Sequence, residues 1–479
     1  MRSRSVRWSL LAVASLLLLS TLHAVEQRPS PAAGRQAVDA PAVLAGQVTS
    51  QAEGPMEGVL VSARKTGGTV TVTVVTDAQG RYRFPAGRLD AGTHTLSVRA
   101  VGYDLDGSGS VALSGTAPAN VDLRLVETRN LAAQLTNAEW LASFPGTDEQ
   151  KASVRYTEYD LPKRTRQPHD VIVDSTGLAW YASFGEQILG RLDPATGKVT
   201  EYAVPLLKPS APTGILGMRF DRDENPWLAM QFQAGIARFD RKTETFQTWK
   251  LPPDLDGPHV QLNQVSPEQS HVDGKVWFQD AGTYTVLRLD LRSGQIETFE
   301  PYKIPRPNVY DVIPDANNNG YFLVLGAEDV GRIDAATGRI SIFKTPTPRS
   351  GPRRGMMDPQ GRLWFGENAG DRIGMFDTRT ERFQEWASPT PGAWPYDVTA
   401  DRNGEVWSGN EYNDRILRLD PGTSRMIEYL LPRKTNVRRV WVDNRTTPVT
   451  FWVGNNHGAS IVKLEPLDGP APDGQRTAR

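Results

Sequence analysis

From Val154 onward, apolar and polar residues alternate in short runs, and the runs recur as a unit. An aromatic anchor marks each unit: Trp180, Trp227, Trp277, Tyr321, Trp364, Trp407 and Trp452, at intervals of 47, 50, 44, 43, 43 and 45 residues. Thirteen residues after each anchor stands an acid: Asp193, Asp240, Asp290, Asp334, Asp377, Asp420 and Glu465. Each unit divides into four period-two segments, the signature of half-buried strands. Four-stranded units of this length repeated seven times predict a seven-bladed β-propeller over residues 154–467. The seventh unit stops after its third strand, while a spare fourth strand, VRYTEYDLP, stands at 154–162. Val154–Leu161 is therefore expected to pair near Ser460–Leu464, closing the ring and removing an exposed sheet edge. The repeated acids read as turn formers.

Ahead of the ring, VLVSARK, TVTVTVVTD, RYRFPAG and HTLSVRAVGYD also alternate, with DAQG and DAGT as turns. They predict a small antiparallel β-sandwich over 41–127, so the fold class is all-β throughout. Residues 128–153 read as a linker with a short helix around Leu131, Leu135, Trp140 and Leu141, ended by Pro145–Gly146. Residues 25–40 read as a tether and 468–479 as a disordered tail. Residues 1–24 carry Arg2, Arg4 and Arg7 before an apolar run from Ser9 to Ser20, with Ala24 as the cleavage point. That pattern predicts a signal peptide, with an uncleaved anchor as the alternative. The expected location is periplasmic or secreted, with no transmembrane span in the mature protein.

Composition narrows the chemistry. Lys plus Arg is 54 and Asp plus Glu is 55, a formal charge of −1, which gives no electrostatic reason to bind nucleic acid. Cysteine is zero, which excludes disulfides, thiolate metal sites, a Cys nucleophile and covalently attached c-type haem.

In a propeller, first-strand starts and second-strand ends share one face around the channel. The first-strand starts are His169, Thr213, His259, Tyr310, Arg353 and Arg354, Tyr396, and Arg438 and Arg439. The second-strand ends are Ser183, Gln231, Asp280, Glu367 and Asn368, Asn410 and Glu411, and Asn455, Asn456 and His457. His169 or His259 is a candidate base and Tyr396 a candidate acid; either histidine could equally cap a strand. Tyr310, Arg353, Arg354, Asn410, Arg438, Asn455 and His457 are candidate ligand-binding groups, the arginines for an anion. Asp280, Glu367 and Glu411 suit Mg²⁺ or Ca²⁺, or else pair with arginines across the channel.

The segments PHDV and PYDV, LWFGEN, GDRIG and NDRI, RLD, and strands ending in LP make the ring resemble the streptogramin (virginiamycin B) lyase family over about 154–466. The resemblance implies a magnesium-assisted elimination that opens a cyclic depsipeptide ester. It implies a histidine starting the last inner strand and a glutamate ending that blade's second strand. Here Val437 or Arg438 and Asn455 or Asn456 stand there, so efficient opening of a streptogramin B is not expected.

GQV, GVLVSA, VTDAQGRYRFPAG and LSVRAVGY resemble the carboxypeptidase regulatory-like domain, a transthyretin-like and carbohydrate-binding-like fold, which implies contact with an envelope glycan. The stretch NAEWLASFPGTDEQK at 137–151 is similar to one that precedes a c-type haem segment in some exported propellers. With no CxxCH here, it implies a haem-less relative and periplasmic redox proteins as partners. Two function classes follow: a binding module for a small, anionic ligand or a partner, or a lyase or hydrolase acting at the same mouth.

Overall fold

The computed structural model describes residues 42–114, 117–135, 154–303 and 307–467. The expected signal peptide, tether and tail, and the linker from residue 136, lie outside these residues. Only two helices, each of four residues, interrupt the strands described: Leu131–Gln134 and Ser270–Asp273. No helix among the described residues is long and apolar enough to cross a membrane.

Six four-stranded antiparallel sheets follow one another from Pro168. Blade 1 comprises Pro168–Val173, Ala179–Ser183, Ile188–Asp193 and Lys198–Ala203, ordered from the channel outward. The inner strands of blades 2 to 6 are Ile215–Phe220, Leu262–Ser266, Val309–Pro314, Pro352–Met357 and Pro395–Ala400. Blade 7 joins Val440–Asp443, Thr450–Asn455 and Ser460–Pro466 to Val154–Asp160. Its closing register runs from Val154 opposite Pro466 to Asp160 opposite Ser460, as the repeat pattern requires. Each inner strand packs on the next, and the seventh packs on the first.

The anchors bury between blades because one sheet cannot cover its own face. Trp180 packs with Met218 and Leu228 of blade 2, and Trp364 with Val398 and Leu417 of blade 6. The buried indole N–H needs an acceptor. Trp180, Trp227, Trp364 and Trp407 each donate to the aspartate six residues earlier, at 2.8–3.0 Å. The acids thirteen residues after the anchors are turn formers: Asp193, for example, accepts from the Ala195 N–H at 2.9 Å. Glu465 departs from this, pairing with Arg155 at 3.1 Å and Arg88 at 3.3 Å.

The sandwich is not a separate bead on the chain. Its strand Val70–Val75 pairs antiparallel with Val154–Asp160, on the edge opposite Ser460–Pro466. Blade 7 thereby continues through Val70–Val75, Leu60–Lys65, Gly92–Arg99 and Gly109–Leu113 as one eight-stranded sheet. A second sheet built on Ala42–Ser50 closes over a core containing Leu44, Val61, Val72, Phe84 and Leu96. Arginines fasten the join: Arg64 to Asp160 at 2.6 Å, and Arg99 to Asp414 at 2.8 Å and to the Leu431 carbonyl at 2.6 Å.

Candidate functional site

The inner strands share a local irregularity. In blades 1 to 6 the register with the second strand slips near the strand's start, at Pro168/Asp170, Ile215/Gly217, Leu262/Gln264, Val309/Asp311, Pro352/Gly355 and Pro395/Asp397. A bulge of this kind re-aims the extra side chain. The residues so freed are His169, Leu216, Asn263, Tyr310, Arg353 and Tyr396. With Arg438 of blade 7 they give one residue per blade, and all seven line one cavity of about 210 Å³. Phe184, Gln231, Gln261 and Asn456 complete its wall.

Beneath lies a charged ring formed by the next residue in blades 1, 4, 5, 6 and 7, together with Arg219 of blade 2. Asp170, Asp311 and Asp397 face Arg354, Arg439 and, from blade 2, Arg219, all buried. Arg354 pairs with both oxygens of Asp170 at 2.8 Å, and Arg219 with both oxygens of Asp311 at 3.0 and 2.7 Å. Arg439 lies 3.9 Å from Asp170 and 4.0 Å from Asp397. Blade 2 has Gly217 at this level, where a Cβ would sit 2.3 Å from the Asn263 carbonyl oxygen. Asp170 also accepts the Met218 N–H at 2.8 Å and Asp397 the Val440 N–H at 3.2 Å, tying blade to blade. The P-H-D-V and P-Y-D-V segments are thus decoded: the middle residue faces the cavity, and the aspartate locks the neighbouring blade.

A directed hydrogen-bond chain starts from this ring. Burial acts to raise Asp170, but Arg354 overrides it and holds the carboxyl far below its usual range. Ionised, Asp170 can only accept, so His169 carries its proton on Nδ1, 2.8 Å from the Asp170 carboxylate. Burial pushes His169 down to about 4, against the pull of Asp170, so the imidazole is neutral at pH 7. Its Nε2 lone pair accepts from the Tyr396 hydroxyl at 3.3 Å, and Tyr310 in turn donates to Tyr396 at 2.6 Å. Burial and then Tyr310 hold the Tyr396 hydroxyl far above its ordinary value.

Arg353 stacks 3.8 Å and Arg438 5.0 Å from the centre of the Tyr396 ring. Both arginines pair with one carboxylate: Glu411 meets Arg353 at 2.5 Å through one oxygen and Arg438 through the other. Five cavity residues carry a buried polar atom without a hydrogen-bond partner: Gln231 Oε1, Asn263 Oδ1, Arg353 Nε, Arg438 Nε and Asn456 Oδ1.

The structure brings together His169, Tyr310, Arg353, Tyr396 and Arg438 as expected, with Glu411 behind the arginines. Other expectations are corrected. His259 is exposed in the loop before blade 3, and Asn263 takes its place; Thr213 likewise yields to Leu216. Arg354 is one layer down in the charged ring. His457 is exposed and outside the cavity lining; partial desolvation and then Arg438 lower its pKa. Asn410 is fully buried outside the lining, and Asn455 spends its amide on the Lys434 carbonyl at 3.1 Å and the Gly458 N–H at 3.0 Å.

The three carboxylates considered for Mg²⁺ or Ca²⁺ do not converge, and the residues present do not fit such an ion at the mouth. Asp280 is used by the N–H groups of Gln261 and Gly282 at 2.8 and 2.9 Å and by the Thr283 hydroxyl at 2.8 Å. Glu411 is held by two arginines. Glu367 turns outward across its own blade towards Gly374, fully buried. Burial, with Glu385 adding to it, pushes Glu367 up to about 9. No group of three or more potential metal-ligating His, Cys, Asp or Glu side chains occurs among the described residues.

A larger groove of about 670 Å³ lies where the sandwich strand Gly92–Arg99 faces Pro432–Lys434. It shares no residue with the mouth.

Comparison with known proteins agrees with this architecture. Residues 43–126 match the model of the carboxypeptidase regulatory-like domain. The ring is similar to virginiamycin B lyase from Staphylococcus aureus: 24% identity, 65% of this chain and 99% of that one, TM-score 0.55. A catalytically inactive variant of that enzyme, solved with quinupristin, gives 24% identity over the same shares, with a TM-score of 0.56. A streptogramin B lyase structure gives 22% identity over 65% and 97%, TM-score 0.55. At these identities the likeness shows the fold. A search of curated proteins found no match.

Proposed function

We propose that the chain binds one small, singly anionic molecule at the propeller mouth. The observation that carries this is the convergence of one bulged or strand-start residue from each blade on a cavity whose lining holds five unpartnered polar atoms. Buried polar groups ordinarily have partners, so such a set points to a ligand that supplies them. Charge sets its sign. Arg353 and Arg438 bring two positive charges, Glu411 removes one, and neutral His169 adds none, leaving room for one anionic charge. At about 210 Å³ the cavity is smaller than usual drug-sized sites, which suits a small acid rather than a macrocycle. Calorimetry with acetate tests this directly. Binding to the wild type that is lost in the Arg353→Ala/Arg438→Ala double variant supports it; equal binding to both sinks it.

Export to the periplasm or medium is part of this reading and rests on residues 1–24. Contact of the sandwich with an envelope glycan, or of the chain with a periplasmic redox protein, likewise rests on the resemblances above.

A second reading is general acid–base catalysis of the lyase or hydrolase kind. The Asp170–His169–Tyr396 chain favours it, because it fixes a neutral imidazole against a proton donor. Val437 packs in the blade 7 core, so Arg438 stands where the lyase resemblance requires histidine, and Asn456 where it requires glutamate. An arginine stays protonated and is a poor base. Incubation with a streptogramin B, followed by mass spectrometry, should show no magnesium-dependent ring opening.

A further inference from the structure

At the blade 6 edge of the mouth stand two exposed aromatic side chains. Trp394 is 43% and Tyr412 37% exposed, and their rings meet edge to face at 5.1 Å. Trp394 is the one tryptophan among the described residues left exposed; the others are buried or half-buried. Edge-to-face contact covers one face of one ring and leaves the remaining faces free of the partner.

Their position ties them to the anion clamp. Trp394 stands two residues before Tyr396, and Tyr412 directly follows Glu411. The Trp394 carbonyl accepts the Glu411 N–H at 3.2 Å. Trp394 also has φ of +55°, a left-handed conformation that a bulky residue rarely adopts. Asp371 holds it there, accepting the Trp394 N–H at 2.8 Å and the Gly392 N–H. The fold thus holds an unfavourable backbone at a residue whose ring stays exposed and whose carbonyl is bonded to Glu411, the carboxylate that both mouth arginines share.

We propose that Trp394 and Tyr412 form a stacking platform, so that the molecule bound at the mouth is a carboxylic acid carried on a ring. The ring lies against the Trp394 indole and the carboxylate reaches Arg438 and Arg353. This rests on the anionic reading of the mouth. Two kinds of ring satisfy the same chemistry: a sugar acid through its apolar C–H face, or an aromatic acid through its π face.

The test compares acetate, galacturonate and benzoate on wild type, Trp394→Ala and Trp394→Phe by calorimetry. At least one ring acid should bind the wild type ten-fold or more tightly than acetate. Trp394→Ala should erase that advantage, Trp394→Phe should keep most of it, and acetate should bind all three proteins alike. The ring acid that responds identifies the source: galacturonate a glycan, benzoate an aromatic metabolite. Equal binding of acetate and both ring acids to the wild type overturns the platform and leaves the anion site standing. So does a ring-acid advantage that survives Trp394→Ala. Absence of binding by all three acids to the wild type overturns the anion site and the platform together.

Discussion

The Nε2 atom of His169 in blade 1 lies 3.3 Å from the hydroxyl of Tyr396 in blade 6. This hydrogen bond closes across the blade 7 side of the mouth and joins two blades that are not neighbours.

Burial of this imidazole has a pH consequence. His169 falls to about 4 in the folded protein from an ordinary value near 6.5. Below about pH 6.5 the unfolded chain takes up a proton that the folded one refuses. Stability from this group is therefore full above 6.5 and is lost as pH falls towards 4, by on the order of 3 kcal/mol. Denaturant unfolding between pH 4 and 7.5 should show the loss in wild type and a flatter profile in His169→Gln. Parallel profiles would contradict it.

Glu411 offers a separate test. Glu411→Gln removes the carboxylate that both mouth arginines share. The folded protein should lose about 3 kcal/mol, the usual cost of leaving a buried ion pair half broken. Acetate should nevertheless bind more tightly, since it no longer competes with an internal carboxylate. Thermal melts and calorimetry on the same variant read both effects, and weaker acetate binding would contradict the charge argument.

Glu367 should behave in the opposite sense to His169. Its folded value of about 9 lies above an ordinary value of 4.5. The folded state favours the protonated form, so stability from this group is full below 4.5 and is lost as pH rises towards 9. Glu367→Gln should be more stable than wild type at pH 8, by on the order of 5 kcal/mol, and the gap should nearly close at pH 5. A gap that is constant with pH would show that the carboxyl is not strained by burial.

The strand junction predicts behaviour in solution. Removing residues 42–127 bares the edge of Val154–Asp160 along its five-residue pairing with Val70–Val75. Unpaired edges recruit other strands. The truncated ring should self-associate, as light scattering after size exclusion would reveal, and a stable monomer would contradict this.

The site was legible in the sequence at five of its seven inner-strand positions, His169, Tyr310, Arg353, Tyr396 and Arg438, and missed at Leu216 and Asn263. Both members of Glu367/Asn368, Asn410/Glu411 and Asn455/Asn456 are expected at the mouth, yet only Asn456 lines the cavity, with Glu411 behind it on the two arginines. Successive strand residues point to opposite faces, so a slip of one moves a side chain out of the channel. The cavity residue stands eleven residues before the anchor in blades 1, 2, 4, 5 and 6, which would have exposed Leu216. Blade 3 inserts the Ser270–Asp273 helix, and its spacing grows to fourteen, which hid Asn263 behind His259. Blade 7 also has fourteen, and there the paired arginines carried the signal instead. The ring closure showed because a strand was missing at one end and spare at the other. The pairing of Val70–Val75 with the same strand did not, because both segments alternate like any other strand and backbone pairing leaves no mark on side-chain identity.

The ring of Asp170, Arg219, Asp311, Arg354, Asp397 and Arg439 fills the channel floor with charges that neutralise one another. The propeller is therefore a cup rather than a pipe. With the floor filled, a molecule that reaches His169 enters and leaves from the side of Arg353, Tyr396 and Arg438. Residence time is then governed at the lip, and a bulky rim occupant would trap or bar a smaller guest without touching the floor.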